Sequence, residues 1–73
     1  MIEILVWEMR QKQNISLREL EKMTLISRST LNNIENSKVS PTLEQLYKIS
    51  KALNCKIEDL YIYYMKIPSV KNI

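Results

Sequence analysis

No glycine occurs anywhere in the 73 residues. Every turn that needs a left-handed backbone must therefore be made by a residue carrying a Cβ, and asparagine tolerates that region best. Asn14, Asn36 and Asn54 thus become the expected punctuation between elements. A chain this short lies near the lower edge of what one hydrophobic core can hold together, which predicts a single domain over residues 1–65 with no separate sensor module. Hydrophobic residues make up 45% and charged residues 26%, an ordinary globular balance. Beyond Lys66, Pro68 stops any helix, so residues 66–73 read as a loose tail.

Composition also narrows the function. The single cysteine, Cys55, has no partner for an internal disulfide, and histidine is absent, which removes the commonest metal ligand and acid–base group. There is no glycine-rich phosphate loop and no nucleophile–base pair, so the expectation is a non-enzyme with no cofactor, no metal and no small-molecule ligand. No apolar run approaches the roughly 20 residues of a membrane span, and the apolar start Met1 to Trp7 contains Glu3 and lacks a basic flank. A cytoplasmic protein is expected. The net charge of +3 and pI near 9.1 permit a nucleic-acid partner. The distribution is more telling: between Lys22 and Leu43 there are Lys22, Arg28 and Lys38 against one acid, Glu35.

Hydrophobic spacing predicts five short helices and no strand. Ile2, Leu5, Val6 and Met9 keep a helical spacing over residues 2–13, although Ile2, Ile4 and Val6 also alternate as in a strand. Ser16 with Glu19 forms a capping-box signature that opens a second helix over residues 17–24. Ser27 caps a third, residues 28–36, with Leu31 and Ile34 inward and Asn32, Asn33 and Asn36 outward. Thr42 with Gln45 repeats the capping box after Pro41, opening a fourth helix along Leu43, Leu46, Ile49 and Leu53 that Asn54 ends. Ile57, Leu60 and Tyr61 make a short fifth, with Glu58 and Asp59 at its positive end. Cys55 falls at an apolar position and reads as a buried, inert thiol.

Two short helices joined across Leu25 to Ser27 expose the second for insertion into a groove. Here the run LRELEKMTLISRSTLNNIENSK, residues 17–38, and the following VSPTLEQLYKISKALNCKIEDL resemble the Cro/phage-repressor class of helix-turn-helix domains, the XRE family. The likeness covers residues 5–61. It implies an all-α, compact five-helix bundle of the lambda-repressor type that binds double-stranded DNA and regulates transcription, with the helix from Arg28 in the major groove. Side-chain chemistry agrees, since arginine forks onto guanine and asparagine onto adenine. The expected base readers are Arg28, Ser29, Asn32 and Asn33, with Thr30 weaker. Ser16, Ser27, Asn36 and Lys38 are placed to hold phosphates. The resemblance further implies an ion pair between Arg10 on the first helix and Glu35 at the end of the third.

The chain departs from the family pattern at several positions. Leu17 stands where a backbone-contacting glutamine is common, and Glu21 where alanine lets helices approach closely. Leu25 replaces the turn glycine, where a left-handed conformation carries roughly 1–2 kcal/mol of strain, and Ser37 replaces the glycine after "EN". Ile4, Trp7 and the run Tyr61 to Met65 are apolar positions that need cover. Either the C-terminal segment folds back over Ile4 and Trp7, or Tyr61 to Met65 forms a two-fold interface; the expectation favours a homodimer and a small repressor on a palindromic operator. The alternative is a protein-interaction module, such as an antitoxin or adaptor, on the same scaffold.

Overall fold

The computed structural model describes residues 1–65. Along the chain it runs β1 (Ile2–Ile4), α1 (Val6–Lys12), α2 (Leu17–Thr24), α3 (Arg28–Glu35), α4 (Leu43–Ala52), a 3₁₀ turn (Ile57–Leu60) and β2 (Tyr61–Tyr63). Four α-helices therefore stand where five were expected, and a small sheet is added. The expected tail, residues 66–73, lies outside the described residues.

The correction at the N-terminus has a clear cause. Residues 2–4 are not the first turn of α1 but an antiparallel strand, with Ile2 opposite Tyr63, Glu3 opposite Ile62 and Ile4 opposite Tyr61. Ladder bonds extend past both ends: Leu5 N–H donates to the Leu60 carbonyl at 2.7 Å and Tyr64 N–H to that of Met1 at 2.8 Å. The Tyr64 phenol donates to the Glu3 carboxylate at 2.8 Å, which raises the phenol above its ordinary pKa. The strand alternation of Ile2, Ile4 and Val6 prevails over the helical spacing because a partner strand exists at the far end of the chain. Ile4 consequently packs against the core rather than away from it. The C-terminal segment covers the N-terminus within one chain, although Trp7 stays 49% exposed. The fifth helix shortens to a 3₁₀ turn, because Tyr61 is drawn into the sheet with an extended backbone (φ −152°).

The other starts follow from local chemistry. Ser16 Oγ accepts the Glu19 N–H at 3.0 Å while Glu19 Oε1 accepts the Ser16 N–H at 2.8 Å. Those bonds, the backbone one foremost, hold the exposed Glu19 carboxyl below its usual pKa, so the cap is intact above the ordinary carboxylate range and is lost as pH falls through the lowered value. Thr42 and Gln45 make the same reciprocal box on α4.

Helix ends show how the chain manages without glycine. Asn14 (φ 58°) and Asn54 (φ 53°) are left-handed as expected, but at the end of α3 the left-handed residue is Ser37 (φ 60°), with Asn36 at φ −95°. The reason is the stopping pattern itself. Lys38 N–H bonds the Asn33 carbonyl at 2.8 Å and Ser37 N–H that of Ile34 at 3.2 Å, which places the left-handed residue one position beyond the cap. The same pair of bonds ends α1 at Asn14 and α4 at Asn54.

One core serves the domain. Val6, Leu20, Leu31, Ile34, Ile49, Leu53 and Leu60 are fully buried, with Ile26 and Leu46 nearly so. α2 packs on α3 and α4, and the 3₁₀ turn on α4. Cys55 packs half-buried at the core margin, where desolvation, followed by the nearby Asp59 charge, pushes its thiol pKa up.

Leu25 is left-handed (φ 62°) and its side chain is 89% exposed, so it has strain and almost no packing to offset it. Leu25→Gly should stabilise the fold by about 1 kcal/mol, seen as a rise of roughly 4–8 °C in thermal midpoint. An unchanged or lower midpoint would show that the turn is not strained.

Candidate nucleic-acid interface

α2, the turn Leu25 to Ser27 and α3 make the two-helix unit. Its crossing is set by burial at the turn. Ile26 is anchored in the core, and the buried Thr24 hydroxyl donates to the Leu20 carbonyl at 2.8 Å while accepting the Ile26 N–H at 3.2 Å. Ser27 then opens α3: its Oγ accepts the Thr30 N–H at 3.2 Å and donates to Thr30 Oγ1 at 2.9 Å.

Leu31 and Ile34 turn inward on α3 and Asn32 and Asn36 outward as the spacing predicts, but Asn33, expected outward, is only partly so. Leu31 and Ile34 are buried, whereas Arg28, Ser29, Asn32 and Asn36 are exposed and Thr30 and Asn33 half-buried. Asn32 Oδ1 accepts from Asn36 Nδ2 at 3.2 Å, which orients the Asn32 amide and leaves its own Nδ2 donors unspent by that bond. Lys38 follows with its side chain exposed. Of the phosphate candidates, Ser16 has its amide N–H taken by Glu19, and its hydroxyl proton is the donor left; Ser27 directs its hydroxyl at Thr30. Leu17 packs at the core margin and has no polar group for DNA.

Glu35 does not confront that surface as a free acid. Arg10 Nε donates to Glu35 Oε2 at 2.8 Å and Nη2 to Oε1 at 2.9 Å, while Nη1 donates to the Ile15 carbonyl at 3.0 Å. The two side chains are only 9% and 4% exposed. Hydrogen bonding to Glu35 raises the Arg10 pKa against the opposing cost of burial, so the guanidinium keeps its charge. Among the described residues no cluster of acidic, cysteine or histidine side chains is arranged to hold a metal, and no helix is long and apolar enough to cross a membrane.

The sequence model of helix-turn-helix domains matches residues 8–60. This chain belongs to the helix-turn-helix family. An uncharacterized HTH-type transcriptional regulator of Archaeoglobus fulgidus is 39% identical over 56 residues, spanning 77% of this chain and 79% of its own length. Another, from Methanocaldococcus jannaschii, is 39% identical over 54 residues, or 74% and 82% of the two chains.

Within the helix-turn-helix unit one contact was missed by sequence reasoning. Glu21, noted in the sequence only as an acid where alanine lets helices approach closely, reaches across the turn. Its Oε2 accepts the Arg28 N–H at 3.2 Å and its Oε1 lies 3.0 Å from Arg28 Nε. The expected base reader Arg28 thus already has an acidic neighbour. The only signal was the unusual acid at a close-packing position; no spacing rule pairs residues across a turn.

Arg10 and Glu35 tie α1 to the end of α3 through a buried fork, and breaking one side strands a charge. Glu35→Ala should cost about 3 kcal/mol in urea unfolding, most of the ~5 kcal/mol a domain of this size holds. A loss under about 1 kcal/mol would place the pair with ordinary surface contacts.

Proposed function

We propose that the protein is a sequence-specific DNA-binding transcriptional regulator, a small cytoplasmic repressor that occupies a palindromic operator as a dimer. The observation that carries this reading is α3 itself: a helix clamped at its end by a buried ion pair, dry on one face and lined on the other with a guanidinium, hydroxyls and amides. Family membership and the regulator names of the relatives support it.

In this reading residues 1–65 are the DNA-binding domain, and α3 lies in the major groove. Arg28, Ser29, Asn32 and Asn33 read base edges, with Thr30 subsidiary, while Ser16, Ser27, Asn36 and Lys38 hold the backbone in register. Arg10 and Glu35 support the reading helix and touch no base. Repression follows from occupancy, without catalysis.

The dimer draws support from what the sheet leaves uncovered. Ile2, Ile4, Tyr61 and Tyr63 share one face and, with Val39 and Leu43, line an open, mostly apolar groove of about 600 Å³. Tyr64 and Met65, which follow the strand, are also exposed in the single chain. Two copies meeting there would present two α3 helices to half-sites about one turn of DNA apart.

Selection of bound duplexes from a random pool should recover a two-fold symmetric site. Against it, Arg28→Ala and Asn33→Ala should each cost about 1–3 kcal/mol and relax one base pair per half-site. Lys38→Ala should weaken all duplexes alike and lower the salt slope by about one for each subunit bound. Binding unchanged in all three variants would remove α3 from the groove.

A further inference from the structure

We propose that Glu21 positions Arg28 for base reading and thereby sets how strongly the protein prefers its operator over other DNA. This rests on the reading of α3 as the groove helix.

Glu21 lies in the last turn of α2, seven residues before Arg28, and its single carboxylate holds that residue at two points. Oε2 accepts the backbone N–H, one of the open donors at the start of α3, and Oε1 sits 3.0 Å from the Nε of the side chain. Arginine is among the side chains with most rotamer freedom, and a side chain held before binding loses less when it binds. The carboxylate approaches at Nε, on the inner side of the guanidinium. Among the described residues no hydrogen bond engages Nη1 or Nη2, so the outer edge remains for the O6 and N7 of guanine.

Exposure separates this pair from the structural one. The Arg28 and Glu21 side chains are 55% and 35% exposed, against 9% and 4% for Arg10 and Glu35. Water reaches Arg28, so a phosphate can compete for it. On a sequence without the matching guanine, Arg28 swinging to a phosphate would leave Glu21 as an unpaired acid facing a polyanion. On the matching sequence Arg28 keeps Glu21 neutralised while its outer edge is used. The acid therefore penalises the wrong complex more than the right one.

The test compares the 73-residue parent, Glu21→Gln, Glu21→Asp, Arg28→Ala and the double variant Glu21→Gln/Arg28→Ala, each bound to the selected operator and to random-sequence duplex. Glutamine keeps an oxygen for the Arg28 N–H but drops the charge; aspartate keeps the charge and withdraws it by one methylene. Glu21→Gln should lose about fivefold in operator affinity, confined to the base pair that Arg28→Ala relaxes, with random duplex bound as well or up to about threefold better. Glu21→Asp should lose the same preference without the gain on random duplex. With Arg28 already alanine, Glu21→Gln should change preference no further. A Glu21→Gln protein that binds operator and random duplex tighter by one common factor would make Glu21 a mere restraint on Arg28 and overturn the proposal. So would an undiminished effect in the Arg28→Ala background. If Arg28→Ala relaxes a base pair and neither Glu21 variant does, only the role of Glu21 falls; if Arg28→Ala relaxes none, the groove reading falls with it. Circular dichroism melts of each variant separate these losses from unfolding.

Discussion

The buried fork between Arg10 and Glu35 is the contact on which the rest of the domain depends. One guanidinium spends its donors on three places: both oxygens of the carboxylate at the end of α3, and the Ile15 carbonyl just ahead of α2. It thereby relates α1, the entry to α2 and the exit of α3 to one another. The two parallel bonds of the bidentate fork fix direction as well as distance, which a lysine in place of Arg10 would not do. The consequence for function is rigidity. A helix only eight residues long, such as α3, would fray by itself, and tertiary anchoring rather than helix propensity must hold it in shape.

Arg28 and Glu21 repeat the same chemistry with the opposite outcome because solvent differs. In the buried pair, desolvation is already met by full hydrogen bonding, so removing one partner is costly and exchange with outside ions is closed. The exposed pair is screened by water, and its net contribution to stability falls in the range of about 0–1 kcal/mol. A contact that weak cannot be there chiefly for the fold. It is, however, of the size that biases one guanidinium between competing anions, which is a matter of selectivity.

What was legible in the sequence was local. α2 could be bounded at Leu17 and Thr24 because Ser16 and Glu19 are three residues apart and carry the information for the start between them. The Thr42–Gln45 box and the Ser27 cap are legible for the same reason. Asn14 and Asn54 as left-handed stops follow from the missing glycine, whereas Asn36 was displaced by one residue, because the stop is counted from the last bonded turn and not from residue type alone. The sheet was illegible in another way. Ile2 to Ile4 satisfy two periodicities at once, and only Tyr61 to Tyr63, some sixty residues away, decide between them. In the candidate interface, the dry and wet faces of α3 could be read from spacing; the reach of Glu21 across a turn could not.

That distant pairing has a mechanical consequence for α3. Leu5 bonds Leu60, so α1 begins where the sheet ends, and Val6 and Leu60 enter the same core. α1 is therefore held at its start by the ribbon and along its length by Arg10, and any loosening of the ribbon is transmitted to Glu35 and α3. The cost of bringing chain ends together grows only slowly with loop length, so closing almost the whole chain is little worse than closing half of it. What the ribbon adds is cover for a core that is small for its surface, and it leaves Ile2 and Tyr63 outermost. If two copies meet on that face, association and folding of the ribbon stabilise each other by mass action. Occupation of the apolar groove would then stiffen α1 and, through the buried fork, the helix that is proposed to read DNA.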